Sequence, residues 1–130
     1  MAAPNIVNVA TIVGESQGYE LSTTTTTTLM QVASDKLVKI NRMSVANIDG
    51  TNAADVTVGV DKATRTSAAT GSSVSGAIFK IASTVSVPAD AVLVLLDTPI
   101  YLEEGDVLEG GASAASDLTL FVSYEVLDDA

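Results

Sequence analysis

The sequence predicts an all-β chain: an antiparallel β-sandwich of about eight strands, jelly-roll-like in arrangement. Three observations carry that expectation. Aliphatic and β-branched runs recur along the chain, each bounded by Gly, Pro, Asn, Asp or Ser. Ala, Val, Ser and Thr dominate the composition, which favours pleated, half-buried surfaces over helix. No long window sustains a 3.6-residue apolar period. An immunoglobulin-like sandwich is the alternative, because sequence does not fix strand order.

The elements follow in order. Asn5 to Val13 has strand character and stops at Gly14; a polar turn is expected through Gly18. Tyr19-Glu20-Leu21 opens a second extended piece that enters the threonine run Thr23 to Thr28, read as a half-solvated strand or edge loop. Leu29 to Val32 leads to a turn at Ser34-Asp35. Leu37 to Asn47 alternates for an unusually long stretch, and neither of its faces is cleanly apolar. Val38, Ile40, Arg42, Ser44 and Ala46 share one face, Leu37, Lys39, Asn41, Met43, Val45 and Asn47 the other, so a bulge or change of sheet is expected within it.

Ile48 to Asn52 carries the Asp-Gly turn signal. Ala54 to Asp61 is a cleaner strand, with Ala54, Val56, Val58 and Val60 on one face. Asp61 to Gly76 is rich in Ser, Thr, Ala and Gly and is expected to be a long surface loop touching a neighbouring molecule. Ala77 to Val87, Ala91 to Leu96, Ile100 to Leu102, Asp106 to Glu109 and Leu118 to Val126 complete the strands. Pro88-Ala89-Asp90 and Glu103-Glu104-Gly105-Asp106 supply turns, the second a solvated acidic corner in which Gly105 is free to take a positive φ. Residues 1–13 read as an N-terminal arm or first strand and residues 14–130 as a single β-sandwich domain.

The chain of 130 residues has no His and no Cys. It therefore lacks the commonest general base near neutral pH, a thiol nucleophile, a thiolate zinc site and any disulfide. Trp is absent, with only 2 Phe and 3 Tyr, so stacking platforms for sugars or bases are scarce. The formal charge is −10, and all 6 basic residues lie between Lys36 and Lys80. Beyond Lys80 the charged residues are Asp90, Asp97, Glu103, Glu104, Asp106, Glu109, Asp117, Glu125, Asp128 and Asp129. Phosphate neutralisation by such a chain is disfavoured, so no nucleic-acid partner is expected. If the sandwich separates the basic and acidic segments, one end is mildly positive and the other strongly acidic. No basic n-region precedes an apolar segment, and the longest uncharged stretches are too polar to span a bilayer; a soluble protein with no membrane partner is expected.

Two clusters have carboxylates close enough in sequence to suggest chemistry. Glu103, Glu104, Asp106 and Glu109 offer hard oxygens of the kind that bind Ca²⁺, and Asp49, Asn52 and Asp55 offer a weaker set without the distal glutamate of a calcium loop. Both are read as solvated turns. Gly110-Gly111-Ala112-Ser113 is not followed by Lys-Ser/Thr and is no phosphate loop. The residues assign no catalytic, cofactor-binding or metal site, and no cofactor.

Several segments together resemble small virion proteins of tailed phages, particularly those infecting cyanobacteria and marine bacteria. They are Met1 to Gly14, Val45 to Val58, Ile81 to Ala89, Ile100 to Asp106 and Ser123-Tyr124-Glu125. The resemblance implies a β-sandwich structural protein without enzymatic activity, located in the virion. Its expected role is a capsid decoration (cement) protein on the phage head, with the major capsid protein or other virion proteins as partners. A tail, neck or fibre component, or a small host- or carbohydrate-binding module, is the alternative. A thin core of small side chains argues for further burial between copies, and a homotrimer is expected. The uncharged stretch Met1 to Val13 is expected to contact a neighbour, by adding a strand to it.

Overall fold

The computed structural model describes residues 9–24 and 26–128. Its strands are β1 (Thr11–Glu20), β2 (Thr27–Gln31), β3 (Lys36–Asn47), β4 (Ala54–Lys62), β5 (Arg65–Thr66), β6 (Ser73–Val74), β7 (Ala77–Val87), β8 (Val92–Leu96), β9 (Ile100–Leu102), β10 (Val107–Ala112) and β11 (Leu118–Asp128). There is no helix among the described residues.

Two antiparallel sheets form a sandwich. The first runs β1-β11-β3-β8, with β9 on the same edge of β3 as β8; the second runs β2-β10-β4-β7. Consecutive long strands mostly alternate between the sheets, which is the jelly-roll winding of two Greek keys. β8 and β9 are two halves of one edge. β8 pairs Met43 to Ala46 and β9 pairs Val38 to Ile40, and Asp97-Thr98-Pro99 interrupts them. Proline has no N–H to give a ladder, so a break there is expected.

The core lies between the inward faces. Ile40, Met43 and Val45 of β3, Val56 and Val58 of β4, Leu108 of β10, and Leu118, Leu120 and Val122 of β11 are fully buried. The expected face of β4 (Ala54, Val56, Val58, Val60) is the buried one. The expected irregularity of β3 is a bulge. Ser123 pairs with Arg42 and Tyr124 with Ile40, so Asn41 is the extra residue. Before it Val38 and Ile40 point inward; after it Met43 and Val45 do. Bulging that one residue out lets a stretch with two mixed faces present one buried face.

Three local expectations are corrected. Gly14 to Gly18 is no turn: β1 continues unbroken from Thr11 opposite Asp128 to Glu20 opposite Thr119. β11 offers a full-length ladder, and local glycine signals yield to it. Thr11–Val13 are thus part of β1, while Met1–Asn8 of the expected arm lie outside the described residues. The Asp61–Gly76 stretch contains the β5–β6 hairpin, closed by the Ser67 N–H to Ser72 carbonyl bond at 2.8 Å and the Gly71 N–H to Ser67 carbonyl bond at 2.7 Å. Gly76 pins it to the sandwich, since a Cβ there would stand 2.4 Å from the Lys62 carbonyl oxygen. The acidic corner is solvated only in part. Gly105 does take φ +84°, but Asp106 is wholly buried.

Candidate functional site

Asp106 opens β10 from the corner, and its carboxylate accepts from the Glu103 N–H at 2.8 Å, the Ala63 N–H at 2.9 Å and the Lys62 ammonium. The neighbouring carboxylates have partners of their own, with Lys62 shared. Glu103 pairs with Lys62 at 3.1 Å and Arg65 Nε at 3.0 Å, Glu104 accepts from the Asp35 N–H at 2.9 Å, and Glu109 faces Lys80 at 3.7 Å. The corner is a clamp joining the β4–β5 turn to the β9–β10 turn. Asp49 accepts from the Thr51 N–H at 2.8 Å, which holds its carboxyl below the ordinary range against a smaller opposing effect of desolvation. Asp55 is tied by its N–H to Ser113 Oγ at 2.7 Å. Among the described residues no group of three or more acidic side chains is arranged to hold a metal ion.

The expected separation of charge is overturned. Lys36 pairs with Asp128, Lys39 with Glu125 at 3.9 Å, Lys62 and Arg65 with Glu103, and Lys80 with Glu109. Each partner comes from the acidic C-terminal segment. Antiparallel pairing of β3 with β11, and of β10 with β4, lays the basic middle of the chain directly against that segment.

One surface that the fold leaves without cover is largely apolar. On the outer side of the first sheet, Gly18, Phe121, Ser44 and Val94 oppose one another across four strands; Glu20, Thr119, Ala46 and Val92 form the next row. Phe121 is 55 % exposed, Val94 43 % and Val92 65 %, with Ile48 exposed nearby. The Phe121 ring lies over Gly18, where an added Cβ would meet its Cδ1 at 3.5 Å. The middle of this face carries only Ser, Ala, Thr and Gly beside the aromatic ring; Glu20, Arg42 and the Lys39–Glu125 pair stand at its margins. In the sequence the alternation from Leu118 to Val126 already separates Leu118, Leu120, Val122 and Tyr124 from Thr119, Phe121, Ser123 and Glu125. An aromatic residue on the polar set was the legible signal, and reading that stretch only as a strand missed it.

A second feature lies where the sandwich stays open between the β1 and β2 edges. A groove of about 380 Å³ is lined by Val13, Met30, Val32, Val38, Tyr124 and Val126, with Glu15, Lys36 and Asp128 at its rim. Tyr124 donates to Gln17 Oε1 at 3.3 Å. Burial raises the Tyr124 hydroxyl's pKa, aided by the nearby Glu15 charge; burial and then Tyr124 raise that of Tyr19. A smaller hollow of about 240 Å³ is lined by Thr24, Thr26, Thr57 and Thr84 among others. Thr84 sits at φ +48°, its N–H donating to Thr57 Oγ1 at 3.0 Å.

No protein-family model matches the chain, and no curated protein matches it. One similar solved structure comes from work described as "Bacillus endospore appendages form a novel family of disulfide-linked pili". It aligns over 92% of this chain and 90% of its own, at 14% identity and a TM-score of 0.48. This chain has no cysteine with which to form a disulfide.

Proposed function

We propose that this chain is a non-enzymatic structural subunit of a virion, a capsid decoration (cement) protein of a tailed phage that binds the major capsid protein and its own copies. The observation that carries a binding role is the uncharged outer face around Phe121, Val92 and Val94 on a chain of formal charge −10. Large exposed apolar side chains grouped on one face of an acidic protein mark a protein–protein contact. Choice of the phage head rests on the sequence resemblance. A tail, neck or fibre position is the second reading, since the same rigid sandwich serves there equally.

Labelling the subunit with antibody on purified particles and imaging them separates these readings. Dense, regular label over the head supports decoration. Label confined to one vertex or the tail supports the second reading, and particles without label overturn both. Attachment of the purified chain to heads that lack it should depend only modestly on salt, because the central contact is uncharged and rim ion pairs add about 0–1 kcal/mol each.

A further inference from the structure

Among the described residues four edges bound the two sheets, and three of them are protected against pairing with another chain. β8 and β9 are short and broken at Pro99. β7 shifts register twice against β4 and contains the positive-φ Thr84. β2 has 5 residues and a shift against β10. β1 has none of these features. It runs 10 residues in one unbroken register, contains no Pro, Lys or Arg, and is exposed along nearly its whole length. Proteins that must avoid edge-to-edge pairing blunt such strands.

We propose that β1 is a self-pairing edge, joining two copies of this chain about a two-fold axis centred on Ser16. This deepens the reading above by naming a second copy as one partner. The phase of the ladder is fixed by the Leu21 N–H, which donates to the Leu118 carbonyl at 3.0 Å. Narrow pairs alternate along an antiparallel ladder, so the odd residues of β1 bond β11. The N–H and C=O groups of Ile12, Gly14, Ser16, Gly18 and Glu20 therefore face the open edge. An antiparallel pair centred on Ser16 uses all of them: Ser16 opposes Ser16, Gly14 opposes Gly18, and Ile12 opposes Glu20. On the inner face Val13 then meets Tyr19 and Glu15 meets Gln17, so no glutamate opposes a glutamate. Centring on Gly14 or Gly18 leaves part of the edge unpaired.

The test uses the full chain, whose lack of cysteine makes a single introduced thiol informative. Ser16→Cys places two thiols opposite each other at a Cα separation of about 5.5 Å, within disulfide reach. Ile12→Cys puts them about 26 Å apart in the same dimer and serves as the control. Under mild oxidation, a covalent dimer from Ser16→Cys and none from Ile12→Cys supports the proposal, with circular dichroism confirming that both variants fold. If the unmodified chain associates by light scattering but Ser16→Cys does not cross-link, the β1 edge is overturned while the subunit reading stands. A chain that stays monomeric and uncross-linked at high concentration also overturns it; particle labelling then judges the subunit reading separately.

Discussion

Asp106 shows how one residue can hold a corner together. Its buried carboxylate meets two backbone N–H groups and the Lys62 ammonium, so its removal leaves two N–H groups without their acceptor and Lys62 with Glu103 alone. Breaking a buried pair from one side is costly. Asp106→Ala should lower unfolding free energy by about 3 kcal/mol or more, read as a drop in the urea midpoint. The tyrosines make a pH prediction. Tyr19 and Tyr124 have pKa values raised above 10.0 in the fold, so the protonated form is the one the native state favours. Their contribution is full below the unfolded value and is lost as pH rises through the raised folded values. Urea midpoints should fall above about pH 10, and replacing both by Phe should flatten that fall relative to the parent chain. Asp49 works in the opposite direction: its lowered pKa adds stability above its unfolded value, lost as pH falls through the folded one.

At the level of elements, the bulge in β3 decides which side chains form the core. Straightening the bulge with Asn41 kept would turn either Val38 and Ile40 or Met43 and Val45 to the outer face, whereas deleting Asn41 brings Ile40 and Met43 to two-residue spacing and keeps all four inward. The deletion should therefore cost only about 1 kcal/mol, mainly the lost Asn41–Glu125 bond, and denaturant titration would read it. Asn41→Ser keeps the backbone count and loses only the half-buried 3.1 Å bond to Glu125. It should change stability by about 1 kcal/mol or less. β1 teaches a related lesson. Its glycines at 14 and 18 suggest a turn by local signals, yet a long partner strand accepts them because they sit at an edge.

For the whole molecule, the apolar side chains divide into a sealed interior and an exposed set, part of which groups on the outer side of the first sheet. Phe121 belongs to the second, so Phe121→Ser should leave the thermal midpoint nearly unchanged, with a stability difference of about 0.5 kcal/mol or less. The same variant should bind particles or sister copies more weakly, which a pelleting assay with particles would show. Loss of stability instead would mean that the ring supports the fold through Gly18. The charge pattern operates at this scale too. Pairing the basic middle with the acidic end cancels fields locally and leaves the uncharged face as the site where another protein meets least repulsion.

Composition and alternation by themselves determined the all-β class, most strand positions, the buried face of β4, the need for a bulge or change of sheet within β3 and the freedom of Gly105 to take a positive φ. These are local consequences of side-chain period and turn chemistry, which act over a few residues. They did not determine that Asp106 is buried, that Lys36 and Lys62 find partners far along the chain, or that β1 runs through two glycines. Those outcomes depend on which strands lie side by side, and the tertiary structure alone decided that: the jelly-roll order brings together segments that sequence separates, and long-range ladders override weak local preferences.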